Sequence, residues 1–423
     1  MTIGAPGALQ PFHRLRYQFA FGIFVAVVLP GAVYHFPDLA DAVRLQSSIN
    51  TGVGSTAAFI AALYLYRRVA TYPGLGLLAY VMPAVTAGYG IVLAVFFAAR
   101  FDYSRLNFGM SFVAALACLF LVSIQSRRNA RQRFYVLPSD HALRLTRLPG
   151  ADWTILKEPK LPEDKAAILI ADLRADIADD WERLIAEAAL NGYPVYHSKQ
   201  VQESLTGRVE IEHLSENSFG SLIPNHSYHK LKRLLDLLIS LLFMPVLLPL
   251  GLLVAISIKL DSPGPVFFRQ VRRGYRGEIF EVLKFRTMQH LHPRKGERDS
   301  AITQARDPRI TGVGRFLRRA RIDELPQVWN VLRGEMSWIG PRPEALALSE
   351  WYMAELPFYT YRHIVRPGIT GWAQVNQGHV SDLDSVLEKL HYDFFYIKNF
   401  SGWLDLLILG RTISIVFSGF GVK

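Results

Sequence analysis

Five apolar runs of roughly bilayer-crossing length constrain the fold of this 423-residue chain more than any other feature. Four come early: Tyr17–Tyr34, Ile49–Tyr66, Leu77–Ala98 and Phe108–Ile124. Each is near the ~20 residues that cross ~30 Å of hydrocarbon, where backbone N–H and C=O groups must pair within the segment, so each is predicted as a helix. The second is the weakest, with glycine and threonine near its start. Their flanks give a direction. Arg14, Arg16, Arg67, Arg68, Arg127, Arg128, Arg131 and Arg133 lie on one side, and only Arg44, Arg100 and Arg105 on the other. Eight basic residues against three place both ends of a four-helix bundle, residues 1–130, in the cytoplasm. The spans contain no Asp, Glu, Lys, Arg or His, so they indicate no ion or proton path. No cleavable signal peptide is apparent. Cys118, the only cysteine, lies in an apolar run and is read as packing.

Residues 131–227 read as a small soluble α/β domain. Short strand-like runs at Arg133–Leu137, Trp153–Leu156, Ala166–Ala171 and Pro194–Tyr196 surround a helical pattern at Trp181–Leu190. The first turn, Leu137-Pro138-Ser139-Asp140-His141, lacks the glycines that let a backbone approach pyrophosphate. A degenerate Rossmann-like unit is expected, as a scaffold or oligomerisation module.

The fifth run, Leu234–Ile258, is preceded by Lys230, Lys232 and Arg233 and ends at Lys259. Pro245 and Pro249 fall near its centre, where each removes a helical hydrogen bond. A kinked crossing helix and a hairpin re-entering one leaflet both fit this pattern. A crossing would carry the following segment away from the cytoplasm; a break at Pro245 would return it.

That following segment holds most of the positive charge. Lys259 to Arg342 contains 18 Lys and Arg against nine Asp and Glu, in a chain of net charge +11. A basic stretch beside apolar segments suits lipid headgroups or phosphorylated substrates, and no nucleic-acid motif accompanies it. Within it, Arg318-Arg319-Ala320-Arg321-Ile322-Asp323-Glu324-Leu325-Pro326-Gln327 sets two adjacent carboxylates among three arginines. Arginine suits phosphate oxygens, and paired acids can supply a nucleophile and a metal ligand or base. Asp323 is a candidate helix N-cap with Pro326 in the first turn and Gly334 as the stop. Three further arginines are fixed by a strand or by proline and so are pre-organised: Arg286 next to a strand, Arg342 between two prolines and Arg366 before one. His363, His379 and His391 have no metal-ligand spacing. The last apolar stretch, 401–417, fits either an interfacial helix or one packed on the domain.

Six blocks now carry a resemblance: Lys232-Arg233-Leu234-Leu235-Asp236, Ser262–Gln270, Lys284–Met288, Asp323–Gln327, Gly340–Glu344 and Arg366–Asn376. In this order, over 228–423, the chain resembles the bacterial sugar transferases, the monotopic phosphoglycosyl transferases that start glycan assembly on polyprenyl phosphate. The front half resembles the long form of that family. The implied fold is a membrane α/β protein: a four-helix bundle, the degenerate Rossmann-like domain, then a mainly helical catalytic domain. That domain would have a re-entrant helix at 234–258 broken at Pro245, and an interfacial helix at 401–417. Met244 stands before Pro245 where the family often has serine.

The resemblance also implies a mechanism. Asp323 attacks the sugar-proximal phosphorus of a nucleotide diphosphate sugar, a UDP-sugar above all, and expels the nucleoside monophosphate. Polyprenyl (undecaprenyl) phosphate then takes the phosphosugar, starting exopolysaccharide, capsule or O-antigen synthesis at the cytoplasmic face of the bacterial inner membrane. Glu324 matches the second acid, linked with Mg²⁺. Arg286, Arg318, Arg319, Arg342 and Arg366 are the phosphate-contact candidates, and Asp393 matches a further motif position grouped with them. Membrane lipids are expected partners and nucleic acid is not. A homodimer is compatible with the sequence, which leaves the oligomeric state, the sugar and the pathway open. The competing reading is a non-catalytic membrane-anchored scaffold, which would have no need of the intact Asp323-Glu324 pair.

Overall fold

The computed structural model describes residues 15–35, 42–69, 78–129, 133–149, 151–164, 167–211, 226–289, 309–377 and 382–418. Arg14, Arg131 and His379 of the sequence reading lie outside them. The chain divides into two compact units, Met1–Gly207 and Arg208–Lys423. Arg208 pairs with Glu388, and the Val209 N–H donates to the His391 carbonyl at 3.0 Å, which ties this strip to the second unit.

The first unit begins with helices α1 (Leu15–Ile23) and α2 (Leu29–His35), joined through a π-helical turn, Phe24–Val28. Helices α3 (Ala42–Val69), α4 (Leu78–Ala99) and α5 (Arg105–Asn129) follow. Four segments here are long and apolar enough to cross a membrane: Leu15–Val33, Gln46–Arg67, Val81–Ala99 and Arg105–Ile124. Small residues let the backbones meet. A Cβ at Gly88 in α4 would stand 2.6 Å from the Ala58 carbonyl oxygen in α3. The soluble part is a four-stranded parallel sheet in the order β2-β1-β3-β4. Its strands are β1 (Arg133–Val136), β2 (Asp152–Ile155), β3 (Ile168–Ala171) and β4 (Val195–His197). Helix α6 (Asp140–Leu145) links β1 to β2, α7 (Asp179–Leu190) links β3 to β4, and α8 (Ser198–Thr206) follows. The alternating side chains of β3 enter two apolar cores, Ile168 and Ile170 on one face and Leu169 and Ala171 on the other. The chain is thus a membrane α/β protein, as the sequence implies.

The second unit opens with α9 (His226–Asp261), 36 residues of helix running through Pro245 and Pro249. The prolines remove the donors that would reach the carbonyls of Leu241 and Pro245, without ending the helix. An antiparallel hairpin follows, β5 (Phe267–Arg273) paired with β6 (Ile279–Phe285) in the register Phe268↔Lys284 and Arg272↔Phe280. Its turn carries Arg276 and Gly277 at φ 56° and 81°. Helices α10 (Gly312–Arg319) and α11 (Gln327–Arg333) bracket the acid pair. Two short parallel strands come next, β7 (Ser337–Ile339) and β8 (Gly368–Thr370), with α12 (Leu346–Glu355) between them. Helices α13 (Trp372–Asn376), α14 (Leu383–Lys398) and α15 (Gly402–Ser418) complete the unit. Residues Tyr392 to Ile397 of α14 are all buried, making it the central helix. One face of α15 is packed inward through Leu404, Leu407 and Ile408, while Leu409 and Ile413 on the other are exposed.

Candidate active site

The acid pair sits on a sharp connection between two short helices. Thr311 caps α10, its Oγ1 accepting from the Gly314 N–H at 3.0 Å. Gly314 passes so close to β6's continuation that a Cβ there would lie 2.1 Å from the Thr287 carbonyl oxygen. Arg321 then takes the left-handed conformation at φ 57°, and Ile322–Glu324 form a single 3₁₀ turn before α11 begins. Asp323 therefore does not cap α11 as the sequence suggested. Pro326 occupies the N-cap position, because the reversal at Arg321 tightens the chain into a 3₁₀ turn first. Gly334 at φ 87° does end the helix.

The turn separates the two carboxylates. Glu324 is buried, and its Oε1 accepts from Lys284 Nζ at 3.0 Å and from Arg342 Nη2 at 2.6 Å. Burial opposes its ionisation, but Arg342 and Lys284 overcome that and hold the carboxyl well below the usual range. Asp323 is half-buried and makes no hydrogen bond or ion pair among the described residues. Burial raises its pKa, and the Glu324 charge adds to the rise. One acid is fixed as a permanent anion, and its neighbour stays unengaged with raised basicity, which favours a nucleophile.

Cations surround the pair. Burial pushes Lys284 down to about 8, with Arg342 and Arg272 adding to the fall against the pull of Glu324. Arg318 donates from Nε to Thr287 Oγ1 at 2.8 Å, and its charge acts on Asp323. Arg319 is exposed on the last turn of α10. Arg272 bonds the Pro343 carbonyl and Gln270, bracing the loop that carries Arg342.

Three residues chosen from the sequence face elsewhere. Arg286 is only 5% exposed, and its guanidinium holds the turn after α9, donating to the carbonyls of Pro263 (2.8 Å) and Ser262 (2.7 Å). Arg366 donates from Nε to the Gly334 carbonyl at 2.9 Å and stacks over Tyr275. With Arg233, which donates to the Val331 and Leu332 carbonyls, it satisfies the C-terminal end of α11. Asp393 is 1% exposed and ion-paired with Arg362 at 2.9 Å. These three act as braces in this geometry, because each is engaged by backbone carbonyls or by a buried ion-pair partner. His363 is buried, and burial with Arg362 and Arg273 nearby lowers it to about 3, so it is neutral.

Lys284, Arg272 and Arg362 were not picked out from the sequence. For Lys284 a signal existed. The period of two along β6 puts it on the face of Phe280 and Val282, both buried, so it is a charge pointing inward.

No group of three or more acids, histidines or cysteines able to hold a metal occurs among the described residues. Magnesium is commonly bound by one or two carboxylates together with substrate phosphates. Both cations on Glu324 use Oε1, and Asp323 is unengaged, so this donor set fits an ion shared with a diphosphate and not one caged by protein.

Residues 227–419 match the family model described as bacterial sugar transferase. A UDP-N-acetylgalactosamine-undecaprenyl-phosphate N-acetylgalactosaminephosphotransferase of Aeromonas hydrophila is 42% identical over 409 residues, 96% of this chain and 95% of that protein. A UDP-glucose:undecaprenyl-phosphate glucose-1-phosphate transferase of Caulobacter vibrioides is 45% identical over 196 residues, 46% of this chain and 72% of that one. The Escherichia coli protein of the same description is 44% identical over 194 residues, 45% of this chain and 40% of its own length. With similarity running through both units, this chain belongs to the bacterial sugar transferase family.

Proposed function

We propose that the chain transfers a sugar-1-phosphate from a UDP-sugar to undecaprenyl phosphate, opening the synthesis of a surface polysaccharide. The observation that carries this reading is the split acid pair: Glu324 locked by Lys284 and Arg342, Asp323 unengaged one residue away. The Asp323 carboxylate attacks the sugar-bearing phosphorus. The bond to the bridging oxygen breaks, UMP leaves with that oxygen and its electron pair, and the phosphosugar is held on Asp323. An oxygen of the undecaprenyl phosphate then attacks the same phosphorus, the bond to Asp323 breaks, and the carboxylate is restored. Lys284, Arg342 and Arg318 offset the charge that builds on the phosphoryl oxygens. Glu324, with the diphosphate, would hold magnesium, which would supply the charge neutralisation an anionic nucleophile needs.

Lipid access follows from α9, which we read as entering and leaving one leaflet. At 36 residues it is about 54 Å long, more than a bilayer needs. Both of its ends bind the same catalytic unit. At the start Lys232 pairs with Asp405 at 2.5 Å, and Ser240 accepts from Trp338 Nε1 at 3.0 Å. At the end Val254 and Ile258 pack with Phe285 and Leu317, and Asp261 accepts from the Val313 N–H at 3.2 Å. A helix whose two ends hold one domain leaves that domain on one face of the membrane. Between these ends Leu241, Leu242, Val246, Leu248, Leu252 and Leu253 are 62–73% exposed, a surface suited to acyl chains. The basic flanks of the first four spans support a cytoplasmic location for the catalytic unit, where nucleotide sugars are.

Membranes carrying the protein, given Mg²⁺, undecaprenyl phosphate and a panel of UDP-sugars, are expected to release UMP. UDP-N-acetylgalactosamine is the first donor to try, since the relative sharing the full length is described by that sugar. Asp323→Asn should release none, and mass spectrometry of the wild type without acceptor should find a phosphosugar on Asp323. Wild-type UMP release by Asp323→Asn would defeat the assignment.

A further inference from the structure

The family reading leaves Asp393 without a task, and the geometry supplies one. We propose that Arg362, held by Asp393, is the positioning residue for Arg342. The inference rests on the reading of Asp323 and Glu324 given above.

Arg362 lies in the 3₁₀ helix Tyr359–Ile364 with its side chain 4% exposed. Its Nη2 donates to the Arg342 carbonyl at 2.8 Å and lies in an ion pair with Asp393 Oδ2 at 2.9 Å. Its Nη1 donates to Tyr359 Oη at 2.6 Å. A guanidinium is a flat, rigid fork, so fixing two acceptors fixes the third. Asp393 belongs to the buried stretch of α14 and is itself 1% exposed, which makes it an immobile anchor. At the other end of the chain of contacts, Arg342 stands between Pro341 and Pro343 and reaches Glu324 at 2.6 Å. The path therefore runs from the core helix through one guanidinium to the backbone of the residue that holds Glu324. Because the pin acts on the carbonyl of Arg342 itself, a shift there moves the whole side chain.

Stability alone does not call for such a pair. A buried ion pair is often no better than apolar residues of the same volume, because desolvation cancels most of its attraction. Orientation is what a second partner on Nη2 adds. The contact to Tyr359 serves as an internal comparison, since it touches Arg362 without touching Arg342.

The test is a double-mutant cycle on UMP release in membranes of full-length protein. Arg362→Lys keeps the charge and loses the fork, and is expected to lower kcat about 30-fold with KM changed less than about threefold. Asp393→Asn should act in the same sense at about 10-fold. In an Arg342→Gln background, itself about 100-fold slow, either change should add less than about twofold. Tyr359→Phe should stay within about threefold of wild type. The inference is overturned if Arg362→Lys costs as much in the Arg342→Gln background as alone, or if Tyr359→Phe matches its loss. Should Arg362→Lys fail to fold by thermal melting, the cycle with Asp393→Asn decides by the same criterion. A wild type that releases no UMP would instead defeat the reading of the acid pair and is distinguishable from either result.

Discussion

The parallel sheet of the first unit and the charged centre of the second solve the same burial problem in opposite ways. The sheet fills its interior with aliphatic side chains: Ile168, Leu169, Ile170 and Ala171 have essentially no exposure, and the helices cover them with Ala142, Leu145, Leu184 and Ala188. The second unit buries Lys232, Asp236, Glu324, Arg362, Lys389, Asp393 and Asp405. A buried charge costs several kcal/mol unless it is paired and hydrogen-bonded, so such a centre is a poor route to stability. What it provides is orientation. Glu324 is held by two cations, Asp405 by Lys232, Tyr228 and Tyr396, and Glu344 by Lys389. An apolar core has no directional preference of this kind. The comparison teaches that catalysis is to be sought where a core contains charge, and architecture where it does not.

The largest effect expected from this contrast follows removal of the central anion. Glu324→Ala would leave Lys284 and Arg342 facing each other without their shared partner. It should cut UMP release about 1,000-fold and lower stability by about 3 kcal/mol, read as thermal unfolding in detergent. Unchanged stability would mean that the cations find other partners and that the charged centre is less fixed than described. Lys284→Met should follow at about 50-fold in UMP release, with Lys284→Arg keeping about a tenth of wild-type activity, because arginine retains the charge and loses the compact ammonium.

These two residues also mark how much the sequence disclosed. Asp323 and Glu324 stood out as candidates because adjacent acids lie among arginines inside an ordered set of blocks. The strands of the first unit were legible because short aliphatic runs between turn residues have few alternatives. The arginines were not. Prolines next to Arg342 and Arg366 restrict how the chain bends there, yet the first guanidinium meets a carboxylate and the second meets the end of a helix. That difference lies in which carbonyls are left unpaired by a distant element, here the end of α11, which no local pattern records. The N-cap expectation for Asp323 failed for a related reason: an arginine at positive φ leaves no sequence signature.

A smaller effect concerns pH. His363 titrates near 6.5 when unfolded and near 3 in the fold, where burial and neighbouring arginines disfavour its charge. Between those values the unfolded chain binds a proton that the folded chain does not, so stability is lost as pH falls from 6.5 toward 3. At pH 5 the loss is about 2 kcal/mol. His363→Gln should flatten that slope in thermal unfolding measured from pH 7 to pH 4.5, and an unaltered slope would show that another group is responsible.

The smallest effect lies in the first unit and tests the comparison from its other side. In a dinucleotide-binding fold, the turn after the first strand presents free backbone groups to a phosphate. Here Ser139 fills that position, and its Oγ accepts from the Ala142 N–H, capping α6. Ala142 and Leu145 of α6 then enter the apolar core, so the cap serves packing. Ser139→Ala should cost about 1 kcal/mol, a typical loss for a helix cap. Because α6 has only six residues, the change should appear as faster amide hydrogen exchange confined to that helix and its neighbours. UMP release should stay at the wild-type rate. A drop of about tenfold in UMP release with exchange unchanged elsewhere would mean that this turn contributes to the reaction. The aliphatic sheet would then be more than a scaffold, and the division between a core built for shape and a core built for chemistry would have to be redrawn.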